Sequence, residues 1–362
     1  MKLDTLISYI QYIPFLLTNA PPFCNGECKI RHTGISATNA RVTPYSHYVH
    51  LWQKINYYMK SLPTITKGVI AVAGTGTRFL PITKSLPKEM LPIIDKPIVH
   101  YIVEEMVNSG ITDIIMVTRS DKKVLEDYFD HNVMLENELR AAQKTRQLEE
   151  IKRISEMANF IYVRQKGPYG NGTPVMNVSN IIDDEPFVFA YGDDLVKSKI
   201  PFTKQLIENY ERNQAVVMGC QEVSKEEIGL YSCMKIKNGS PCMEIEKIIE
   251  KPAPEEISSP YSNFGRFILV PEICEILHDF YDQRHFGKGG ELWLTDAIQA
   301  YIKRGKKVVV QKIQDGHWYT TGDPLNFLKV MIQYALDRDE YKNDFLKYLK
   351  NVLQNQQIKT LL

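Results

Sequence analysis

The sequence has little cysteine, no long apolar run and no excess of charge of one sign. Six cysteines among 362 residues are too few for a disulfide scaffold and are typical of a reducing cytosol, so we expect a cytoplasmic protein. No stretch approaches the roughly 18 consecutive apolar residues of a membrane span, which excludes a transmembrane helix. Basic and acidic residues number 44 and 43, whereas nucleic-acid-binding proteins usually carry a marked basic excess. We therefore predict a partner that is neither nucleic acid nor membrane.

The first 66 residues differ from the rest of the chain. They hold six basic and two acidic residues, whereas residues 67–362 hold 38 basic and 41 acidic residues. They also lack a sustained alternation of strand and helix patterns. Met59 lies shortly before the first predicted strand and could itself begin a chain. We expect residues 1–66 to be a poorly ordered extension, of which residues 1–58 are dispensable, and residues 67–362 to form one large domain.

From Lys67 onward, short apolar runs alternate with helical patterns. The runs, which lack the alternation of half-buried strands, cover residues 68–73, 113–118, 160–164, 187–191 and 215–219. The helical patterns follow Pro97, form one long charged helix over 133–157, begin again at Pro174 and cover 203–212. This alternation predicts an α/β fold with a doubly wound, mostly parallel, Rossmann-like sheet, which binds ligands at the carboxyl ends of its strands.

The pattern changes after residue 222. Shorter strands at 231–236, 245–250 and 264–270 predict a small β-rich elaboration over one side of the ligand site. The remaining chain is mainly helical and ends in a helix near 339–353. The sequence leaves a homo-oligomer open, with the helix at 133–157 and this C-terminal helix as candidate contact surfaces.

A glycine-rich turn, Gly74-Thr-Gly-Thr-Arg-Phe79, directly follows the first predicted strand. Its glycines let phosphates approach the backbone, whose exposed N–H groups bind anions. Phe79 stands where the dinucleotide fingerprint has a third glycine, and the Gly-Lys-Ser/Thr of a P-loop is missing. Arg78, Lys84 and Lys88 supply cations instead, which suits a triphosphate with its roughly four negative charges. The turn therefore predicts a phosphate-binding site.

Two further groups of charged residues follow predicted strands. Gly192-Asp193-Asp194 places carboxylates at the ligand-binding edge, and Mg²⁺ on a nucleotide commonly takes one or two carboxylates plus phosphate oxygens. Glu250-Lys251-Pro252 offers one acid and one cation to a polar, anionic ligand. Together with the glycine turn, these residues predict a site for a metal-bound nucleotide and a second phosphorylated substrate.

At these residues the sequence resembles the sugar-nucleotide pyrophosphorylases, and most closely the bacterial UTP–glucose-1-phosphate uridylyltransferases. The matching stretches are 67–81, Pro87-Lys-Glu-Met-Leu-Pro92, Asp95-Lys-Pro97, Val163-Arg-Gln165, Gly192-Asp-Asp194, Glu250-Lys-Pro252, Gly265-Arg266 and Leu294-Thr-Asp-Ala297. The likeness covers about residues 67–350. It implies a nucleotide-diphospho-sugar transferase fold for residues 67–362, with Mg²⁺ as cofactor and UTP and glucose 1-phosphate as partners. The reaction implied is uridylyl transfer from UTP to glucose 1-phosphate, which yields UDP-glucose and pyrophosphate.

The resemblance also implies roles for individual residues. The backbone at Ala73 and Gly74, with Gln165 and Gly170, would hold the uracil. The triphosphate would be bound by Thr77, Arg78 and Lys88, the metal by Asp193, the sugar hydroxyls by Glu250 and the sugar phosphate by Lys251. Gly76, Asp194 and Ser232 complete the predicted substrate contacts. Among these, Arg78, Lys88 and Lys251 are the predicted catalytic residues.

The sequence departs from the family pattern in three places. Thr320 stands where the family usually has an aspartate that some members use for metal, and Ser232 stands where it usually has a glycine. Thr173-Pro174 replaces a usual His-Ala pair. Two alternatives therefore stay open: a related sugar-1-phosphate nucleotidyltransferase with another base or sugar, and a non-catalytic homologue that binds sugar nucleotides.

Overall fold

The computed structural model of the chain describes residues 65–224, 228–229 and 231–354. The predicted extension, apart from its last two residues, lies outside the described residues. The strands are β1 (Lys67–Ala71), β2 (Pro92–Ile93), β3 (Lys96–Pro97), β4 (Asp113–Thr118), β5 (Asn159–Arg164), β6 (Phe187–Tyr191), β7 (Asp194–Ser198), β8 (Val216–Glu222), β9 (Ser232–Ile236), β10 (Ile245–Glu250), β11 (Tyr261–Leu269), β12 (Val308–Lys312) and β13 (Gly316–Thr320).

The α-helices are α1 (Ile98–Val107), α2 (Lys123–Phe129), α3 (Val133–Ala141), α4 (Thr145–Glu156), α5 (Thr173–Asn177), α6 (Ser179–Ile182), α7 (Phe202–Asn213), α8 (Pro271–Asp282), α9 (Leu294–Lys303), α10 (Pro324–Leu336) and α11 (Lys342–Gln354). Short 3₁₀ turns cover Thr77–Phe79, Ile82–Lys84, Lys88–Met90, Pro254–Glu256 and Lys288–Gly290. In the described part of the chain, no helix combines the length and apolar character needed to cross a bilayer.

A seven-stranded sheet in the order β12-β8-β11-β6-β1-β4-β5 forms the centre of the described part of the chain. All its strands run parallel except β11, which is antiparallel to both β6 and β8. The predicted α/β fold with a mostly parallel sheet is confirmed. Apolar side chains on its two faces pack against helices: α1 contributes to one buried cluster, and α8 and α9 contribute to the other. Burial on both faces explains why the central strands are continuous apolar runs.

The strand predicted at 264–270 is not part of the β-rich elaboration. It is β11, which lies in the centre of the main sheet and is buried along its length from Ser262 onward. Its apolar run had the length of a central strand, but periodicity cannot tell which sheet a strand joins. The elaboration is a two-stranded antiparallel sheet of β9 and β10, and a second small sheet pairs β13 with β7.

The long helix predicted over 133–157 is two helices, α3 and α4. They are separated by a short connection in which Gln143 adopts a left-handed conformation with φ of 55°. No glycine or proline marks this break in the sequence, and these are the residues that usually reveal one.

The order in which strands are added to the sheet reverses at β1. From β1 it moves to β4 and β5 on one side, then returns to β6 on the other side of β1. In open α/β sheets a crevice forms at such a switch point, at the carboxyl ends of the strands. The glycine turn follows β1 and Gly192-Asp193 follows β6, so the topology brings these two sequence features together.

Candidate active site

A cleft of about 440 Å³ lies at the carboxyl ends of β1, β5 and β6. It is lined by Ala71, Ala73, Gly74, Thr75, Gly76, Thr77, Arg78, Phe79, Lys88, Glu89, Gln165, Tyr169, Gly170, Asn171, Pro174, Tyr191, Asp193, Glu291 and Gly322. Nine predicted site residues are therefore neighbours here: Ala73, Gly74, Gly76, Thr77, Arg78, Lys88, Gln165, Gly170 and Asp193. Lys84, which we also considered as a phosphate ligand, is exposed and does not line the cleft.

The glycine turn presents its backbone to the cleft. Gly76 has a φ of 65°, and a side chain there would approach the Thr83 Cγ2 atom to 3.2 Å. The Thr83 hydroxyl donates a 2.7 Å hydrogen bond to the Gly76 carbonyl, which holds the turn in this shape. Within the described residues, the amide groups of residues 73–76 have no hydrogen-bond acceptor. They are therefore available to oxygen atoms of a ligand.

Lys88 and Asp193 form an ion pair inside the cleft. The Lys88 Nζ atom lies 2.5 Å from Asp193 Oδ2, and about a fifth of each side chain is exposed. Burial opposes both charges, yet the attraction between them prevails: Asp193 raises the pKa of Lys88, and Lys88 lowers the pKa of Asp193. Both groups are therefore charged at neutral pH, with a cation and a carboxylate beside the glycine turn.

The segment after β13 closes the cleft on the Asp193 side. The amide and the hydroxyl of Thr321 donate hydrogen bonds of 2.9 and 2.8 Å to the Asp193 carbonyl. The Arg78 guanidinium donates to the carbonyl of Gly322 over 3.3 Å, and the Thr320 hydroxyl accepts a 3.2 Å hydrogen bond from the Gly322 amide. Thr320 is thus next to Asp193, where the family pattern has its second carboxylate, and it contributes a neutral hydroxyl.

The loop after β5 forms the opposite wall. The Gln165 amide continues the β4–β5 pairing by donating to the Thr118 carbonyl over 2.9 Å. Gly170 has a φ of 137°, and a side chain there would lie 2.2 Å from the Leu292 carbonyl oxygen. The Leu292 amide in turn donates to the Tyr169 carbonyl over 2.8 Å. Only glycine can occupy position 170 so close to the Leu292 backbone, and this contact fixes the loop against the segment before α9.

Asp194 and Ser232 do not line the cleft. Asp194 is buried, and its Oδ1 atom accepts a 2.8 Å hydrogen bond from the Trp318 indole. Burial and the neighbouring Asp193 raise the pKa of Asp194. Ser232 is 1% exposed, and its hydroxyl accepts a 2.7 Å hydrogen bond from the Asn263 amide group. Both side chains are engaged in the protein interior.

Glu250 is the last residue of β10 in the small two-stranded sheet and Lys251 follows it, both outside the lining of the cleft. Burial raises the pKa of Glu250 to about 7. Lys251 is exposed and has a φ of 43°, and its amide donates to the Tyr231 carbonyl over 2.6 Å. Its side chain is therefore free to reach into solvent beside the sheet edge.

The lining residues to which sequence reasoning assigned no role include Glu89, Tyr169 and Glu291. Glu89 stands inside the Pro-Lys-Glu-Met-Leu-Pro stretch, and a charged residue next to a predicted phosphate ligand was the signal that could have revealed it. Tyr169 and Glu291 lie in loops whose positions depend on the pairing with Leu292, so no local pattern marks them.

Comparisons with known proteins identify the family of this chain. The family model described as nucleotidyl transferase matches residues 67–336. The chain is 37% identical over 295 residues to a UTP–glucose-1-phosphate uridylyltransferase of Bacillus subtilis, and this alignment covers 81% of this chain and 99% of that protein. It is similar to a solved UDP-glucose pyrophosphorylase complexed with UDP-glucose (35% identity, TM-score 0.67, 76% of this chain and 100% of that one). It is also similar to a UTP-bound UGPase from Acinetobacter baumannii (30% identity, TM-score 0.70, 81% of this chain and 100% of that one).

Proposed function

The chain belongs to the nucleotidyl transferase family, and we propose that it transfers the uridylyl group of UTP to glucose 1-phosphate, forming UDP-glucose and pyrophosphate. The observation that carries the proposal is the Lys88–Asp193 pair beside free backbone amides in one cleft. The resemblance to uridylyltransferases spans nearly the full length of those relatives. This favours the uridylyltransferase over the two alternatives left open by the sequence.

We assign the cleft to the nucleotide. The backbone at Ala73 and Gly74, with Gln165 and Gly170, would hold the uracil. Thr77, Arg78 and Lys88 would bind the triphosphate, while Glu250 and Lys251 would contact the sugar and its phosphate. Asp194 and Ser232 would act indirectly, by packing behind the site, because hydrogen bonds to Trp318 and Asn263 already occupy their side chains.

The residues present fit a magnesium ion held mainly by the nucleotide. Among the described residues, no group of three or more His, Cys, Asp or Glu side chains could hold a metal by itself. Three carboxylates line the cleft: Glu89 is paired with Lys122, Glu291 accepts a hydrogen bond from the Trp293 indole, and Asp193 lies beside Lys88. Asp193 is thus the carboxylate nearest the predicted phosphate ligands, and Mg²⁺ commonly takes one or two carboxylates together with phosphate oxygens and water. When bound, the metal would neutralise charge on the phosphates; Asp193 would be its protein ligand.

The chemistry is an in-line displacement that needs no protein nucleophile. A phosphate oxygen of glucose 1-phosphate bonds to the α-phosphorus of UTP. The bond from that phosphorus to the oxygen shared with the β-phosphorus breaks, and this oxygen leaves as part of pyrophosphate. Both substrates are anionic, so the chain must hold them close together and offset their repulsion. Arg78, Lys88 and Lys251 would supply the positive charge, and the fixed loops would supply the orientation.

A substrate panel tests the proposal directly. Purified protein is assayed for pyrophosphate release with several nucleoside triphosphates and sugar 1-phosphates, each with and without Mg²⁺. We expect turnover with UTP and glucose 1-phosphate that depends on Mg²⁺. Turnover with another pair would identify a related transferase, and tight UDP-glucose binding without turnover would identify the non-catalytic homologue.

We place this activity in the cytoplasm. The four cysteines in the described part of the chain, Cys220, Cys233, Cys242 and Cys274, are free thiols, which suits a reducing compartment. A homo-oligomer is compatible with the proposal, and α3, α4 and α11 are its candidate contact surfaces. Sedimentation or light scattering of the purified protein would measure the number of copies.

A further inference from the structure

A fully buried ion pair lies directly beneath the nucleotide-binding turn. Glu89 is 0% exposed and the Lys122 side chain is 5% exposed. The Lys122 ammonium donates hydrogen bonds of 2.8 Å to Glu89 Oε2 and of 2.5 Å to the Val72 carbonyl. The proposed function uses neither side chain.

Stability of the fold does not by itself explain this buried ion pair. Burial raises the pKa of Glu89 and lowers that of Lys122, so the protein interior opposes both charges. The second Glu89 oxygen, Oε1, has no hydrogen-bond partner among the described residues. An apolar pair of similar volume is often as stable as a buried ion pair or more so. Titratable groups buried at such expense are frequent at functional sites.

The pair connects the ends of two strands to the turn that carries Lys88. Val72 lies between β1 and the glycine turn, and its amide donates to the Val117 carbonyl of β4 over 2.9 Å. Its carbonyl is held by Lys122, the residue just before α2. Glu89 therefore links the 3₁₀ turn at Lys88–Met90 to the β1 and β4 edge.

Two neighbouring residues thus hold one short turn from opposite sides. Lys88 reaches Asp193 after β6, and Glu89 reaches Lys122 after β4. The packing around them is close: a side chain on Gly74 would lie 3.4 Å from Lys88 Cε, and one on Gly192 would lie 3.0 Å from Glu89 Cγ. A shift of Glu89 would therefore move Lys88 and the backbone that faces the nucleotide.

We propose that Glu89 and Lys122 are positioning residues that preset the Ala73–Gly74 backbone and the Lys88 ammonium for the nucleoside triphosphate. This inference rests on the proposed function of the cleft. The pair acts through the Val72 carbonyl and the 88–90 turn. Its effect is confined to the nucleotide, because the residues assigned to the sugar lie at the end of β10.

The test compares the wild type with two variants, Glu89→Gln and the double variant Glu89→Gln/Lys122→Met. The double variant removes both buried charges, so we expect it to unfold at a temperature close to that of the wild type. The dissociation constant of UTP is measured by calorimetry at a temperature where melting curves show each protein folded. We expect UTP binding to weaken about fivefold in Glu89→Gln and at least about tenfold in the double variant, since misplacements near 1 Å are costly.

A matched control lies at the other end of β1. Lys67 also donates to a glutamate and to a backbone carbonyl, 3.0 Å from Glu185 Oε2 and 3.2 Å from the Ile182 oxygen. We expect Lys67→Met/Glu185→Gln to leave UTP binding within about twofold of the wild type. The KM for glucose 1-phosphate should also stay within about twofold in the Glu89 and Lys122 variants, which a general loosening of the fold would not allow.

Wild-type UTP affinity in either folded variant of the Glu89–Lys122 pair would overturn the inference. An equal loss of UTP affinity in the control variant Lys67→Met/Glu185→Gln would overturn it as well. Failure of the proposed function has a different signature. It would appear in the wild type itself, as UTP binding without turnover of glucose 1-phosphate, and the binding measurements would still test the pair.

Discussion

The carboxylate of Asp193 shares the cleft with the cations of Lys88 and Arg78, and it is the one that we assign to the metal. With one such ligand from the protein, metal affinity must depend largely on the phosphates of the nucleotide. Thr320 is the residue that decides this, because its hydroxyl lies in the segment packed against Asp193.

We expect Thr320→Asp to lower the Mg²⁺ concentration needed for half-maximal activity by about tenfold, because a second carboxylate beside Asp193 adds a hard anionic ligand. The measurement is a Mg²⁺ titration of pyrophosphate release at fixed UTP. Thr320→Asn is the control, since it has a similar shape without the charge and should leave the midpoint unchanged. An equal shift in both variants would contradict this prediction.

Glu250 should make stability depend on pH. Burial raises its pKa from 4.5 to about 7 in the folded chain, so the folded state keeps a proton that the unfolded state releases. Stability is therefore lost as the pH rises from about 5 to 7, by at most about 3 kcal/mol.

The neutral variant Glu250→Gln removes this loss. Its melting temperature should be close to that of the wild type at pH 5 and higher than that of the wild type at pH 8. If the melting temperatures of Glu250→Gln and the wild type differ by the same amount at both pH values, Glu250 does not titrate in this range.

Two adjacent residues, Asp193 and Asp194, show which features of the site can be predicted from the local sequence. Asp193 and Asp194 are equivalent in the sequence motif, yet one faces the cleft and the other bonds to Trp318 in the interior. Successive side chains of an extended chain point to opposite sides. The residue pattern therefore predicted carboxylates at this edge, and the family resemblance assigned the metal to Asp193 and a substrate contact to Asp194. The direction of the side chains then decides that only Asp193 of the two lines the cleft.

At the scale of elements, the loop after β5 depends on one close approach. Gly170 lies so near Leu292 that its φ of 137° and the 2.2 Å contact to the Leu292 carbonyl oxygen both exclude a side chain. Gln165 and the cleft wall belong to the same loop, so the backbone contact holds part of the proposed uracil site.

Gly170→Ala should lower the melting temperature by several degrees and weaken UTP binding by about tenfold or more, since backbone strain and overpacking each cost about 1–3 kcal/mol. Gly110→Ala is the control. Its φ of 98° imposes strain, but nothing lies within 4 Å of the added carbon. We expect it to affect stability only, so weaker UTP binding in Gly110→Ala would argue against a specific role for the Leu292 contact.

Elements with strong local signals were predicted well. The apolar runs became β1, β4, β5, β6 and β8. The break between α3 and α4 was missed because residues 142–144 carry no glycine or proline. The place of β11 was missed because pairing partners lie far away in the chain.

At the scale of the whole molecule, residues 67–336 carry the family match, and the relatives are covered over 99% or more of their own length. The activity should therefore not need residues 1–58. We expect a variant that starts at Met59 to keep kcat and KM within about twofold of the full chain. Steady-state kinetics of the two proteins check this, with their masses confirmed. A loss of turnover in a shorter protein that melts at the same temperature would assign residues 1–58 a role in the chemistry.

The sequence by itself determined the alternation of strands and helices, the glycine turn and the types of charged group at the strand ends. These features depend on neighbouring residues, since backbone preference and apolar periodicity act over a few positions. The strand order, the insertion of antiparallel β11, and the Lys88–Asp193 and Glu89–Lys122 pairs were decided only by the tertiary structure. Their partners are 105 and 33 residues apart, and only the packing of the complete sheet brings them within hydrogen-bond distance.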